Sequence, residues 1–178
     1  MASTGIMETL ETAAAATAAT AAAGAAGAAA VTTMRVAVDE WGDVAIARHQ
    51  ARRLARQHGV APRRAGEVAI VVSELASNIV KYGVRGEIAV EVGGSAAGGM
   101  TLAVLAYDVG PPIHDLEEAM LDGHDDRGPI DPAVLARRGG LGTGLGAVSR
   151  LADRLEVRQE AGSKLIIATF SRGLPPGV

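Results

Sequence analysis

Between Thr33 and Phe170 the hydrophobic positions switch repeatedly between a period of two and a period of three to four, and each switch marks an expected element. Thr33 to Val38 alternates as a half-buried strand. Trp41-Gly42-Asp43 reads as a turn with Asp43 capping a helix that runs to about His58, where Gly59 stops it. That helix is amphipathic and carries Arg48, Arg52, Arg53 and Arg56 on its outer face. Pro62 opens a longer helix, in which Val68, Val71, Val72, Leu75, Ile79 and Tyr82 recur at three- and four-residue spacing until Gly83 ends it. Ile88 to Val92 and Thr101 to Tyr107 form an expected hairpin across the small-residue loop from Gly93 to Gly99. Leu116 to Leu121 is a short helix. The stretch from Asp122 to Gly139 is polar and interrupted by Gly123, Gly128, Pro129 and Pro132, the character of a lid. Within it, Asp131 followed by Pro132 predicts an extra helical turn to Arg138. Leu145 to Ala152 continues as a helix, and Leu155 to Gln159 with Lys164 to Phe170 closes the chain as a hairpin about Ala161-Gly162. The order β-α-α-β-β-α-lid-α-β-β predicts an α/β fold of the α+β two-layer type, a mixed β-sheet with its helices on one face.

The N-terminal segment lies outside this pattern. Residues 1–32 are rich in Ala and Thr and are expected to form a low-complexity, disordered tail before a domain spanning 33–172, with 173–178 as a short second tail. The Ala run follows Glu8 and Glu11 and lacks large apolar residues, which argues against a signal peptide and against a membrane span. Composition narrows the function further. Hydrophobic residues make up 48% of the chain but aromatic ones only 2%, so the core must be built from Val, Leu, Ile and Ala. A net charge of −3 and few stacking side chains argue against nucleic acid as a partner. With no cysteine, thiol chemistry and thiolate metal sites are excluded, and a cytoplasmic location is expected.

Three segments carry candidate chemistry. In Glu74-Leu-Ala-Ser-Asn78 a carboxylate and a carboxamide stand four residues apart on the long helix, about 40° apart around its axis. Lys81 falls within about 20° of Glu74 on the same face, so acid, amide and ammonium form one stripe. One amide oxygen together with phosphate oxygens makes a reasonable magnesium shell, which leaves Glu74 available for proton transfer. The bland alternative is a pair of polar residues on the wet side of an amphipathic helix. In Asp108-Val-Gly110-Pro-Pro-Ile113 an acid follows an apolar strand, placed to accept a hydrogen bond from the exocyclic amine of a base, although the same residue types make ordinary turns. Gly139-Gly-Leu-Gly142-Thr-Gly144-Leu-Gly146 is a glycine-rich turn entering a helix, with backbone N–H groups suited to phosphate or, alternatively, a plain hinge. A dinucleotide fingerprint is rejected there, because the preceding residues read as helix and not as strand. His114, His124, Asp125 and Asp126 sit in or beside the breaker-rich loop without metal-ligand spacing, and His49 reads as a surface residue.

With these segments in this order, the chain resembles the GHKL ATPases, and within them the anti-sigma-factor serine/threonine kinases, in particular the stressosome switch kinases. The resemblance covers about residues 34–171, supported also by Glu40-Trp41-Gly-Asp43 and Asp115-Leu-Glu-Glu-Ala-Met120. It implies an ATP- and Mg2+-dependent kinase with a lid. Glu74 would activate the accepting hydroxyl and Asn78 would ligate magnesium. ATP would be bound by Asn78, Lys81, Asp108, Gly110, Ile113, Gly140, Leu141, Gly142, Thr143, Gly144, Leu145, Gly146 and, on the adenine side, Ser163. The implied substrate is a STAS-domain antagonist protein, and a sigma-regulating phosphatase or a sigma factor would be the further partner. A nucleotide-sensing anti-sigma or phosphatase-binding protein with little kinase activity is the alternative. Pro112 stands where this family has a second glycine, which removes an N–H and fixes φ near about −65°.

Overall fold

The computed structural model describes residues 32–94, 99–121, 124–125, 128–130, 144–160 and 162–175. Strand β1 (Thr32–Val38) leads into a helical hairpin, α1 (Trp41–Gln57) and α2 (Pro62–Tyr82). Strands β2 (Arg85–Gly94) and β3 (Met100–Val109) follow, then a single helical turn, α3 (Leu116–Ala119), and a two-residue ribbon of β4 (His124–Asp125) and β5 (Gly128–Pro129). Helix α4 (Gly144–Leu151) and strands β6 (Arg154–Glu160) and β7 (Ser163–Phe170) complete the fold.

The five long strands form one sheet in the order β1-β2-β3-β7-β6. The two-layer arrangement is as expected, but the sheet is not mixed: all four of its pairings are antiparallel. The connections explain this. Two antiparallel helices return the chain to the end of the sheet where β1 finished, so β2 must run back along β1. A single helix, α4, then carries the chain from the end of β3 to the opposite end, so β6 runs parallel to β3. The final hairpin inserts β7 between them, and no parallel pair forms.

Local chemistry sets the ends of the helices. Asp43 does not cap α1 as the sequence predicts; the helix begins three residues earlier, with Glu40 as N-cap. Asp43 lies at the third helical position and reaches back, its Oδ2 accepting the Asp39 and Glu40 N–H groups at 3.0 Å each, because the Trp41-Gly42 pair is absorbed into the first turn. Gly59 leaves α1 with φ of +77°, and Pro62 starts α2 as its first residue. The predicted helix to Leu121 is only four residues long, with Asp115 Oδ1 accepting the Glu118 N–H at 2.9 Å. The expected turn from Pro132 to Arg138 lies outside the described residues, as does the Ala-rich tail.

The main core lies between the sheet and the helices. Val68, Val72, Leu75 and Ile79 of α2 meet Ile88 and Val90 of β2, Val104 and Ala106 of β3, and Ile166, Ala168 and Phe170 of β7. Alternation sends Leu105, Tyr107, Leu165 and Ile167 to a second cluster on the other face. The pleat therefore decides which strand residues share the helix side, and Asp108 and Lys164 are register partners on that side.

Candidate active site

Helix α2 carries the first part of the site. Its apolar face is buried against the sheet, which turns Glu74, Asn78 and Lys81 toward its margin, each half-buried. The Glu74 carboxyl lies close enough to the N–H of Gly144, the first residue of α4, to be stabilised in its charged form by it. Burial pushes the Glu74 carboxyl up from its ordinary value, while the Lys81 ammonium and the Gly144 N–H oppose that rise. Lys81 Nζ also stands 5.7 Å from the centre of the half-exposed Trp41 ring, so the start of α1 closes this end of the stripe. The acid predicted from the helix and the glycine run predicted from the loop thus meet. Gly144 has φ of +41°, a conformation that glycine adopts without strain as the chain turns into α4.

The second part lies one helix end away. Asp108 is 2% exposed and is the next-to-last residue of β3. Around it the backbone is close-packed. A methyl on Gly86 would lie 2.4 Å from the Tyr107 carbonyl oxygen and 3.0 Å from the Asp108 Cβ, and one on Gly110 would lie 3.1 Å from Asp108 Oδ1. Lys164 Nζ donates to Asp108 Oδ1 at 2.6 Å and to the Pro111 carbonyl oxygen at 3.0 Å. Burial raises the Asp108 carboxyl above its ordinary value, and the ammonium beside it opposes that shift.

The other expected residues divide into several groups. The Gly110 N–H donates to the Gly162 carbonyl at 3.1 Å, and the Ile113 N–H donates to Gln159 Oε1 at 2.6 Å, so both are engaged within the fold. Leu145 belongs to the main core and Gly146 is buried within α4. Ser163 pairs with Val109 in register, on the face of the sheet away from Asp108; the position facing Asp108 belongs to Lys164. Gly140, Leu141, Gly142 and Thr143 lie outside the described residues. The sequence reading missed Lys164 and Gln159. Strand period alone could have found Lys164, which is in phase with Ile166, Ala168 and Phe170.

For a cation, the described donors are oxygen-rich and sparse. No group of three or more His, Asp or Glu side chains converges among the described residues, and the Asn78 side chain makes no hydrogen bond to them. One carboxamide fits Mg2+ that arrives already carried by phosphate oxygens, not a cation held by protein alone.

Residues 41–170 match the family described as the histidine kinase-like ATPase domain. The chain belongs to the histidine kinase-like ATPase family. Its similarity extends to the serine/threonine-protein kinase RsbT of Bacillus subtilis (strain 168), at 33% identity over 123 residues, 69% of this chain and 83% of that protein. Among solved structures, the RsbU and RsbW domains of a Mycobacterium tuberculosis protein share the fold, with a TM-score of 0.50 and 14% identity over 83% of this chain. The chain spans about a third of that larger protein, 35% of its length. The SiaB-SiaC complex from Pseudomonas aeruginosa is a further match, with a TM-score of 0.48, 15% identity and coverage of 79% of this chain and 89% of that one. The family match runs from the first residue of α1 to the last of β7, and so takes in every described part of the site. No helix among the described residues is long and apolar enough to cross a membrane.

Proposed function

We propose that this chain is an ATP- and Mg2+-dependent serine/threonine protein kinase whose substrate is a STAS-domain antagonist protein, and whose phosphorylation of it switches partners and so controls a sigma factor. The observation that carries this reading is the junction of Glu74 with Gly144: a carboxylate on the long helix is held at the start of the helix that follows the glycine run. From Glu74 to Gly83 α2 rises about 14 Å, a span comparable with the reach of a triphosphate from its last phosphate to its base. Phosphates would lie along the glycine run, with Gly140, Gly142 and Thr143 contributing and Lys81 adding positive charge beside Glu74. Asn78 would hold the magnesium ion, which neutralises developing charge on the phosphates. The base would lie toward Asp108. Burial keeps the Glu74 carboxyl closer to neutrality than an exposed glutamate, which suits a group that takes the proton of the attacking hydroxyl. The 33% identity to a protein named as a serine/threonine kinase supports the same class of chemistry.

The decisive experiment is single-turnover transfer from labelled ATP to a candidate STAS-domain protein, with the product challenged by acid. Acid-stable phosphate is expected. Acid-labile phosphate would point to a histidine acceptor, and no transfer despite ATP binding would favour the second reading, a nucleotide-sensing binding protein. That second reading draws on the Asp108–Lys164 pair, which occupies one oxygen of the base-reading acid.

A further inference from the structure

The face of the sheet turned away from the helices is more apolar, and more buried, than an open face. An antiparallel sheet packed on one side normally presents polar residues to water on the other. Here β3 is buried at every position from Leu102 to Asp108, and so on both faces. The outward residues Ala89, Ala103, Leu105, Tyr107, Leu165 and Ile167 form a cluster of their own, in which Leu105 is 0% and Ile167 2% exposed, and no described helix contributes to it. Glu91 lies on the same face, in phase with Ala89, and burial pushes its carboxyl up although Arg35 opposes the rise. An acid on a bare sheet surface would stay hydrated.

Beyond the proposed function, and independent of it, we propose that the N-terminal stretch 12–31 folds back across this face as an intramolecular cover, which brings Glu8 and Glu11 to the arginines of β6.

Position, chemistry and charge name this occupant. Thr32 pairs with Val92, Val92 with Leu102 and Leu102 with Phe170, so the stretch joins the sheet at the end where the cluster begins with Ala103. Four strand spacings separate β1 from β6, about 19 Å. Even coiled as a helix, residues 12–31 span about 30 Å and can cross them. The other long stretch outside the described residues, 131–143, leads instead into α4, whose buried residues belong to the helix-side core. No residue from Thr12 to Met34 is charged, so laying this stretch on an apolar face strips no charge of water. Its many Ala residues let a backbone lie close over Leu105 and Ile167. At the far edge Arg154 and Arg158 share one acid, Glu156, at 3.0 and 3.2 Å, which leaves that rim net positive. Glu8 and Glu11, the only charged side chains before Arg35, arrive there with the opposite sign. The burial belongs to one chain alone, which favours this segment over a second copy. The cover lies across the sheet from Glu74 and Asp108 and leaves the nucleotide site open.

The chain has no cysteine, so a single introduced one can carry a nitroxide on the full-length protein. Ala22→Cys and Ala25→Cys are labelled separately, and the methyl signals of Leu105, Leu165 and Ile167 are compared with those of Val44 and Leu54 in α1. The outer-face methyls are expected to lose intensity while the α1 methyls keep theirs, for at least one of the two labels. Two positions are used because a nitroxide aimed at the sheet can itself lift the segment. In a mixture of nitroxide-bearing chain with a separate isotope-labelled chain, no loss is expected. Equal loss in that mixture overturns the inference and assigns the face to a second copy. Full intensity at Leu105, Leu165 and Ile167 with both labels also overturns it, and neither result touches the kinase reading.

Discussion

At the level of single residues the site rests on two acids whose burial is compensated in different ways. Glu74 has an N–H and the Lys81 ammonium nearby, yet burial outweighs both, so it keeps a raised pKa and a lone pair that can take a proton. Glu74→Gln should retain ATP binding yet slow phosphoryl transfer by about 10² to 10⁴, measured as the single-turnover rate. Because a base works only when ionised, the rate in the intact chain should fall as pH drops through a value above that of an ordinary glutamate. The same inflection should be missing in the variant; an unchanged rate would remove Glu74 from the mechanism. Asp108 has the opposite arrangement. Its ion pair with Lys164 has side chains only 3% and 5% exposed, so removing one partner strands the other charge away from water. Asp108→Asn should cost about 3 to 5 kcal/mol of folding stability in urea unfolding, with ATP affinity falling as well. A loss well under about 1 kcal/mol, typical of an exposed pair, would show that water reaches this pair in solution.

At the level of elements, the sequence was most legible where one period ran long. Helix α2 could be read from Pro62 to Gly83 because eight of its residues are buried at regular spacing, and Gly59 and Gly83 ended their helices as expected. The strands were placed correctly but came out longer, because β2 and β3 continue pairing through Arg85 and Val109 into residues without strong alternation. What could not be read was pairing across distance. The Lys164–Asp108 contact joins residues 56 apart, and nothing in either segment specifies which face of which strand will oppose it. The same limit hid the Gln159 clasp on Ile113 and gave a mixed sheet where an antiparallel one forms. Glycines separate the two kinds of element constraint. Gly66 lies in the interior of α2 with nothing within 4 Å of an added methyl, so Gly66→Ala should gain about 0.5 to 1 kcal/mol. In Gly86→Ala the methyl would meet the Tyr107 carbonyl at 2.4 Å, a backbone atom that can yield only by shifting β3 and with it Asp108. That change should cost about 1 to 3 kcal/mol or more, and unlike the α2 substitution it should also weaken ATP binding. Equal effects of the two substitutions in paired urea titrations would contradict this division.

For the whole molecule, the question is what fixes the start of α2, and through it Glu74, against the last strands. Arg64 is the joint. It donates to the Leu151 carbonyl at 2.9 Å, to Glu67 at 2.8 Å and to Asp153 Oδ2 at 2.9 Å, and its guanidinium lies 4.7 Å from the centre of the Phe170 ring. Asp153 collects the other half of the joint, accepting the Ser171 and Arg172 N–H groups at 2.7 and 2.8 Å. Burial works against its ionisation, but these backbone donors and Arg64 more than offset it, and the carboxyl is held far below the ordinary aspartate range. The sign of the linkage follows. A group whose folded pKa is depressed contributes stability that is complete above the unfolded value of about 3.9 and drains away as pH falls toward the folded one. Glu74, Glu91 and Asp108 act in the reverse sense, since burial raises their pKa values and so favours the folded state at lower pH. The net pH profile is therefore a difference, and a variant is needed to isolate the joint. Asp153→Asn should lower stability at neutral pH, and its deficit relative to the intact chain should narrow steadily as pH is taken from about 5 down through 3, followed by urea midpoints. A deficit that stays constant over that range would mean that Asp153 acts through its shape and hydrogen bonds alone, and that its charge does not tie the two ends of the domain together.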